Sequence, residues 1–368
     1  MPNLHNQDLC PNLTWWQQPI AGLDLDSQAA ALARQASLTK PTGALGQLET
    51  LAVQLAALQG RAQPTLDRPW ISVFAGDHGI TQAGVSAYPS AVTAQMVSNF
   101  VQGGAAINVL ARQIKASFEI VDVGVAADTA QMISPHANTV IQAKTAQGTA
   151  NFQQQPAMSL SDAEHALQAG YAAVQRAIAA KADCWIGGEM GIGNTSSATA
   201  IACGLLSQPS IVLTGAGTGL AEAAIGHKAQ VIQAALDQHA VSGDQTLRVL
   251  CTFGGFEIAA LCGSYLAAAQ AALPIIVDGF ISSVAALLAV RIQPACRDWM
   301  FFSHQSAEQG HQMVLDAMQA QPLLKLGMRL GEGSGAATAF PLLQLACVLH
   351  NQMATFAEAQ VSQQTDQT

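Results

Sequence analysis

The stretch DCWIGGEMGIGNTSSATAIACGLL, residues 183–206, decides the fold. It opens as a short apolar run of the kind that forms a buried strand. GGEMGIGNT (187–195) then joins that strand to a helix through four glycines. A strand that enters a helix through a tight glycine turn is half of a βαβ unit, and the same rhythm extends outward in both directions. Further strand candidates are ISVFA (71–75), FEIVDVG (118–124), SIVLTG (210–215), RVLCTFGG (248–255), PIIVDG (274–279) and DWMFFSH (298–304). Ala-rich helical stretches lie between them, at 161–181, 219–239 and 256–272. Strands alternating with long helices predict an α/β fold: a parallel, Rossmann-like sheet with helices on both faces. Residues 20–60 carry helical spacing broken at Lys40–Gly43, residues 61–69 form a linker, and 90–112 is an apolar helix. KTAQGTANFQQQPAM (144–158) is an extended loop, and the chain after Phe356 is a polar tail.

In such a sheet, ligands bind beyond the carboxyl ends of the strands. The unusual polar residues gather there: Gly76-Asp77-His78-Gly79 after ISVFA, the 187–195 loop, GAGTG (215–219), Asp278-Gly279, and Ser303-His304. Composition narrows what they can bind. Of 368 residues, 50% are hydrophobic and 11% charged, a balance that excludes a disordered chain. Lys+Arg number 15 against 24 Asp+Glu, a net charge of −9, which argues against general binding to nucleic acid. An anionic ligand must therefore be held locally, by glycine loops and helix starts.

The seven cysteines include no CxxC and lie mostly in apolar runs. They read as reduced thiols of a cytoplasmic protein rather than as disulfides or a zinc site. The N-terminus lacks the pattern of an export signal. Residues 258–277 carry no charge, but they divide into a helix-like and a strand-like half, so a buried helix and strand are expected rather than a membrane span.

Each motif admits a bland reading beside a chemical one. The 187–195 loop lacks the GK[ST] ending of a Walker motif, and is either a packing turn or a cradle for phosphate or ribose. Lys228, about two helical turns after GAGTG, is either solvated or a phosphate contact. Glu332 in LGEGSG (330–335) is either an exposed turn residue or a general base whose flanking glycines leave it unshielded. Glu189 is the second candidate carboxylate. Asp77, His78 and His304 have no metal-ligand spacing, and a structural or orienting role is expected, with no metal and no cofactor.

Taken together, the strings SLTKPTGALGQLE (37–49), FAGDHGI (74–80), GVSAYPSAVTAQMVSNFVQGGAAINVLAR (84–112), GTANF (148–152), GGEMGIGNTSSA (187–198), GGFE (254–257), LPIIVDGFISSVAAL (273–287), SHQSAEQGH (303–311) and LGMRLGEGSGAA (326–337) closely resemble the nicotinate-nucleotide–dimethylbenzimidazole phosphoribosyltransferase family. The resemblance runs from about residue 25 to 350. It implies transfer of phosphoribose from nicotinate mononucleotide to 5,6-dimethylbenzimidazole, giving α-ribazole 5′-phosphate and nicotinate for the lower-ligand nucleotide of cobalamin. It implies Glu332 as catalytic base and Glu189 beside it. The phosphoribose would be held by Gly188, Met190, Gly191, Gly193, Asn194, Thr195, Gly215, Gly217, Lys228 and Asp278, and the aromatic base by Tyr88, Met96, Met190 and Leu330. It further implies a homodimer, and a small helical domain built from both chain ends (1–64 and 321–368) around a catalytic α/β domain at 65–320. Two competitors stay open: the same mechanism on adenine or a phenolic acceptor, and a non-catalytic nucleotide-binding protein.

Overall fold

A computed structural model of the chain describes residues 14–132, 140–217 and 222–362. The chain begins with α1 (Leu25–Ser37) and α2 (Gln47–Gln59), then enters the sheet at β1 (Pro69–Gly76). There follow α3 (Ala91–Gln102), α4 (Ala106–Gln113), β2 (Ser117–Gly124), β3 (Val140–Gln142), α5 (Leu160–Ala179) and β4 (Cys184–Met190). Next come α6 (Asn194–Leu206), α7 (Ser210–Leu213), α8 (Glu222–His239), α9 (Thr246–Phe253) and α10 (Phe256–Gln270). The chain closes with β5 (Ile275–Val277), α11 (Phe280–Ile292), β6 (Met300–Phe302), α12 (His311–Ala317), α13 (Ser334–Gln352) and α14 (Phe356–Ala359).

The six strands form one sheet in the order β3-β2-β1-β4-β5-β6, and all pairs are parallel. This is the order of doubly wound nucleotide-binding sheets. The order of strand addition reverses across the sheet between β1 and β4, and in sheets of this kind ligands bind beyond the carboxyl ends of the strands. The two faces of β4 show why both must be covered. The Trp185 indole N–H donates to Ser264 of α10, and Gly187 faces Leu261 and Tyr265 of the same helix. The alternate residues, Ile186 and Gly188, face the loop that starts α13. A period of two on a strand with apolar residues on both faces requires helices on both sides.

Helices α5 and α10 pack against each other on one face, closely enough that glycine is required at the crossing. A Cβ on Gly170 would lie 1.9 Å from the Ala260 carbonyl oxygen, and one on Gly263 would lie 2.2 Å from that of Leu167. Both obstacles are backbone, so the helices would have to separate. Gly170→Ala is expected to destabilise the protein by about 2–3 kcal/mol, read as a lower urea midpoint.

The chain ends meet as well. The Arg34 guanidinium of α1 donates to the carbonyls of His350, Asn351 and Met353, and Gln35 bonds to the His350 imidazole. One hydrophobic cluster runs from Trp16 through α2 and the sheet to Cys347 of α13, while Ala31 of α1 forms a small separate cluster with Val53 and Ala56 of α2.

Four expectations are corrected. SIVLTG is not a strand: Pro209 opens a single helical turn, α7, and Ile211 is exposed. RVLCTFGG is α9, in which Val249, Leu250 and Phe253 are buried at helical spacing. A short apolar run does not by itself distinguish the two structures. The helix expected over 90–112 is two helices, because Gly103 in the left-handed region ends α3. The short edge strand β3 is an addition to the expected set, since its three residues carry no clear sequence signal. The uncharged 258–277 run does divide into α10 and β5, and among the described residues no helix is long and apolar enough to cross a membrane. Six cysteines are free and five of them buried; Cys10 lies outside the described residues.

Candidate active site

The cleft opens at the carboxyl ends of β4, β5 and β6, against the first turns of α6 and α11. The glycine loop forms one wall. Gly193 adopts a left-handed conformation and starts α6, so Asn194 and Thr195 lead the helix into the cleft. The Asn194 side-chain amide donates to the carboxylate of Glu189 on β4. Lys228 of α8, fully buried, donates from Nζ to the Thr195 hydroxyl at 2.9 Å. Burial lowers its pKa to about 8, and the carboxylate of Glu308 acts in the other direction. Gly217 completes this end, its carbonyl oxygen accepting from Arg329 Nη1 at 3.0 Å. Residues 218–219 of the GAGTG loop lie outside the described residues.

The second wall is the RLGEG loop. Gly331, Glu332 and Gly333 all have positive φ (91°, 65° and 86°). A left-handed non-glycine residue between two glycines is strained, and such strain is found where a side chain must be aimed. The loop lies directly on β4: the Glu332 N–H donates to the Glu189 carbonyl at 3.3 Å. A Cβ on Gly188 would lie 2.3 Å from the Glu332 carbonyl oxygen, which explains the second glycine of the 187–195 loop. Asp278, just past β5, accepts from the N–H groups of Gly333 and Ala336, and so ties the start of α13 to the sheet.

The carboxylates are crowded. Burial first, then Asp278, Glu257 and Glu332, push the pKa of Glu189 well up; the Asn194 amide opposes this. Burial and Asp278 raise that of Glu332, against the N–H of Ile107 at the start of α4, which donates to its Oε2 at 3.3 Å. Burial also raises Asp278, with His304 pulling it back. Burial and mutual repulsion thus act together on these carboxylates, each favouring the protonated form.

Of the residues singled out from sequence, Glu189, Met190, Gly191, Asn194, Thr195, Gly217, Asp278 and Leu330 line the cleft. Lys228 reaches it through Thr195. Gly188 and Gly193 shape the wall from behind, and Gly215 packs against Glu308. Glu332 is buried, and its carboxylate points to the α4 start rather than onto the cleft wall. Tyr88 is exposed before α3, and Met96 packs half-buried against the core, so the structure does not bring these two onto the wall with Met190 and Leu330. Sequence reasoning assigns no role to Ser282, Ser306 or Glu308, which also line the cleft. They sit in the quoted strings 273–287 and 303–311, just beyond β5 and β6, where the strand-end rule would find them.

The chain is similar over nearly its whole length to known phosphoribosyltransferases. A phosphoribosyltransferase family profile matches residues 20–361. The chain is 56% identical over 351 residues to a nicotinate-nucleotide–dimethylbenzimidazole phosphoribosyltransferase of Ectopseudomonas mendocina, covering 95% of this chain and 99% of the relative. It is 56% identical over 348 residues to a protein of the same name from Azotobacter vinelandii, covering 95% and 98%. The crystal structure of a further one, from Thermus thermophilus, superposes with a TM-score of 0.87 at 43% identity, over 93% of this chain and 100% of that one. With the family profile, high identity and fold all in agreement over nearly the whole length, the chain belongs to the nicotinate-nucleotide–dimethylbenzimidazole phosphoribosyltransferase family.

Proposed function

We propose that the protein transfers phosphoribose from nicotinate mononucleotide to 5,6-dimethylbenzimidazole, releasing nicotinate and α-ribazole 5′-phosphate for the lower ligand of cobalamin. One observation carries the assignment of residues. Two carboxylates of raised pKa, Glu189 and Glu332, are held together at the end of β4, and a buried lysine is bonded to the helix turn beside them. Lys228, Thr195 and the backbone of the glycine loop hold the 5′-phosphate, with the start of α6 adding its dipole. The pyridinium of the donor is already a good leaving group and needs no acid. A benzimidazole ring nitrogen attacks C1′ from the face opposite the pyridinium. The C1′–N bond to nicotinate breaks, and its electron pair leaves on the neutral pyridine nitrogen. The second ring N–H of the benzimidazole gives its proton to Glu332, and the configuration at C1′ inverts from β to α. Glu189 takes up the positive charge that develops at C1′; the approaching pyridinium cation favours its ionised form. Met190 and Leu330 supply apolar surface for the base.

We further propose a cytoplasmic homodimer, supported by the family and by the free, mostly buried thiols. The direct test is chromatography of the protein with nicotinate mononucleotide and 5,6-dimethylbenzimidazole. Nicotinate and α-ribazole phosphate in equal amounts are expected. Turnover only with a purine or a phenol would move the assignment to another acceptor, and binding without turnover on any acceptor would favour a nucleotide-binding protein.

A further inference from the structure

The strings FAGDHGI, GGEMGIGNTSSA and GGFE converge on one imidazole that the phosphoribosyl chemistry does not use. His78 follows β1. Its Nε2 is 2.6 Å from Oε1 of Glu257 in the first turn of α10, and its Nδ1 is 2.9 Å from the hydroxyl of Ser197 in the first turn of α6. All three side chains are buried, and none lies on the cleft wall. Glycines make room for the pair: a Cβ at Gly255 would lie 2.3 Å from His78 Cε1, and one at Gly191 would lie 3.1 Å from Nε2. The second oxygen of Glu257 is buried without a hydrogen-bond partner. Burying a carboxylate with one oxygen unsatisfied is costly, and an apolar pair of equal volume would hold the core at least as well. The feature this arrangement adds is direction. Ser197 stands three residues after Asn194, one turn along the same helix face. Asn194 holds the Glu189 carboxylate, and Thr195 beside it accepts from Lys228. The bond at Ser197 therefore fixes the rotation of the turn that aims both.

We propose that the buried His78–Glu257 pair, acting through Ser197, is a positioning device that keeps the first turn of α6 oriented so that Asn194 holds Glu189 against the reacting carbon. It rests on the role given above to Glu189. The pair touches no substrate, so its loss acts on the chemical step more than on binding.

The test is steady-state kinetics on wild type, Glu257→Gln, Ser197→Ala, Asn194→Ala and the two double variants with Asn194→Ala, with rates expressed per folded protein. Glu257→Gln is expected to lower kcat by about 10–100-fold and Ser197→Ala by about 3–10-fold, with KM for nicotinate mononucleotide within about threefold of wild type. In each double variant the kcat is expected to fall no further than in the slower single variant, the signature of residues acting in one chain. Unchanged kcat per folded protein, or losses that multiply with that of Asn194→Ala, would overturn the proposal and leave the pair a core contact. Should Glu257→Gln fail to fold, the Ser197→Ala cycle decides the matter alone, by the same two outcomes. Absence of turnover in the wild type itself would mark failure of the phosphoribosyl assignment, and this proposal would fall with it.

Discussion

Glu332→Gln is expected to lower kcat by about 10²–10⁴ and to leave KM for nicotinate mononucleotide nearly unchanged. Glutamine keeps the shape, and its carbonyl oxygen still accepts the Ile107 N–H that holds the carboxylate now. What it removes is the capacity to take the proton of the incoming base. The donor is held elsewhere, by the Lys228 end of the cleft, so binding survives. The pH dependence follows from the same residue. A general base works deprotonated, so kcat falls as pH drops through its pKa. Burial and Asp278 raise that pKa above the usual glutamate value of 4.5, and the acid limb of kcat is expected above the range of an exposed glutamate. In the variant this limb should vanish. Initial rates of nicotinate release across about pH 5–8 would check both parts. A variant that kept the wild-type rate would move the base to Glu189.

Lys228→Ala is expected to raise KM for nicotinate mononucleotide by about 10–100-fold, the scale of a lost charge-assisted hydrogen bond in a buried site. Thr195 loses its donor in the same step, so the first turn of α6 loses its partner at this end. The wild type carries a matching pH signal. The lysine binds phosphate as a cation and loses its charge as pH rises through its pKa, which burial places at about 8 in the free enzyme. The kcat/KM for the donor is therefore expected to fall above about pH 8, because that ratio reports groups of the free enzyme. The kcat at saturating donor should fall only at higher pH, since bound phosphate holds the proton on the lysine. Rates measured at low and saturating donor separate the two.

The sheet, its parallel sense and the location of chemistry at its carboxyl edge are all legible from residues 183–206 and the alternation around them. Glu332, Glu189 and Lys228 are legible as candidates, because glycine flanks and an isolated lysine in a lysine-poor chain stand out in one dimension. The departures have a common cause. SIVLTG and RVLCTFGG are apolar runs too short for their period to be unambiguous, and each settles as a helix packed against neighbouring helices rather than as a strand in the sheet. Gly103 and Gly104 fall inside a stretch whose apolar spacing reads as one helix, yet they end α3 and let α4 begin where its first turn can donate to Glu332.

By itself, the sequence determined five of the six strands and the long helices between them, since hydrophobic period and glycine placement act over a few residues. It also determined which side chains are chemically capable. Only the tertiary structure decided which of them meet. The Glu189–Asn194 bond lies within one loop. By contrast, Glu332 with Ile107, Lys228 with Thr195, and His78 with Glu257 and Ser197 are contacts between segments far apart in the chain. No local period encodes such a contact; it exists because the strand order sets β1, β4 and β5 side by side and brings their carboxyl ends to a single edge.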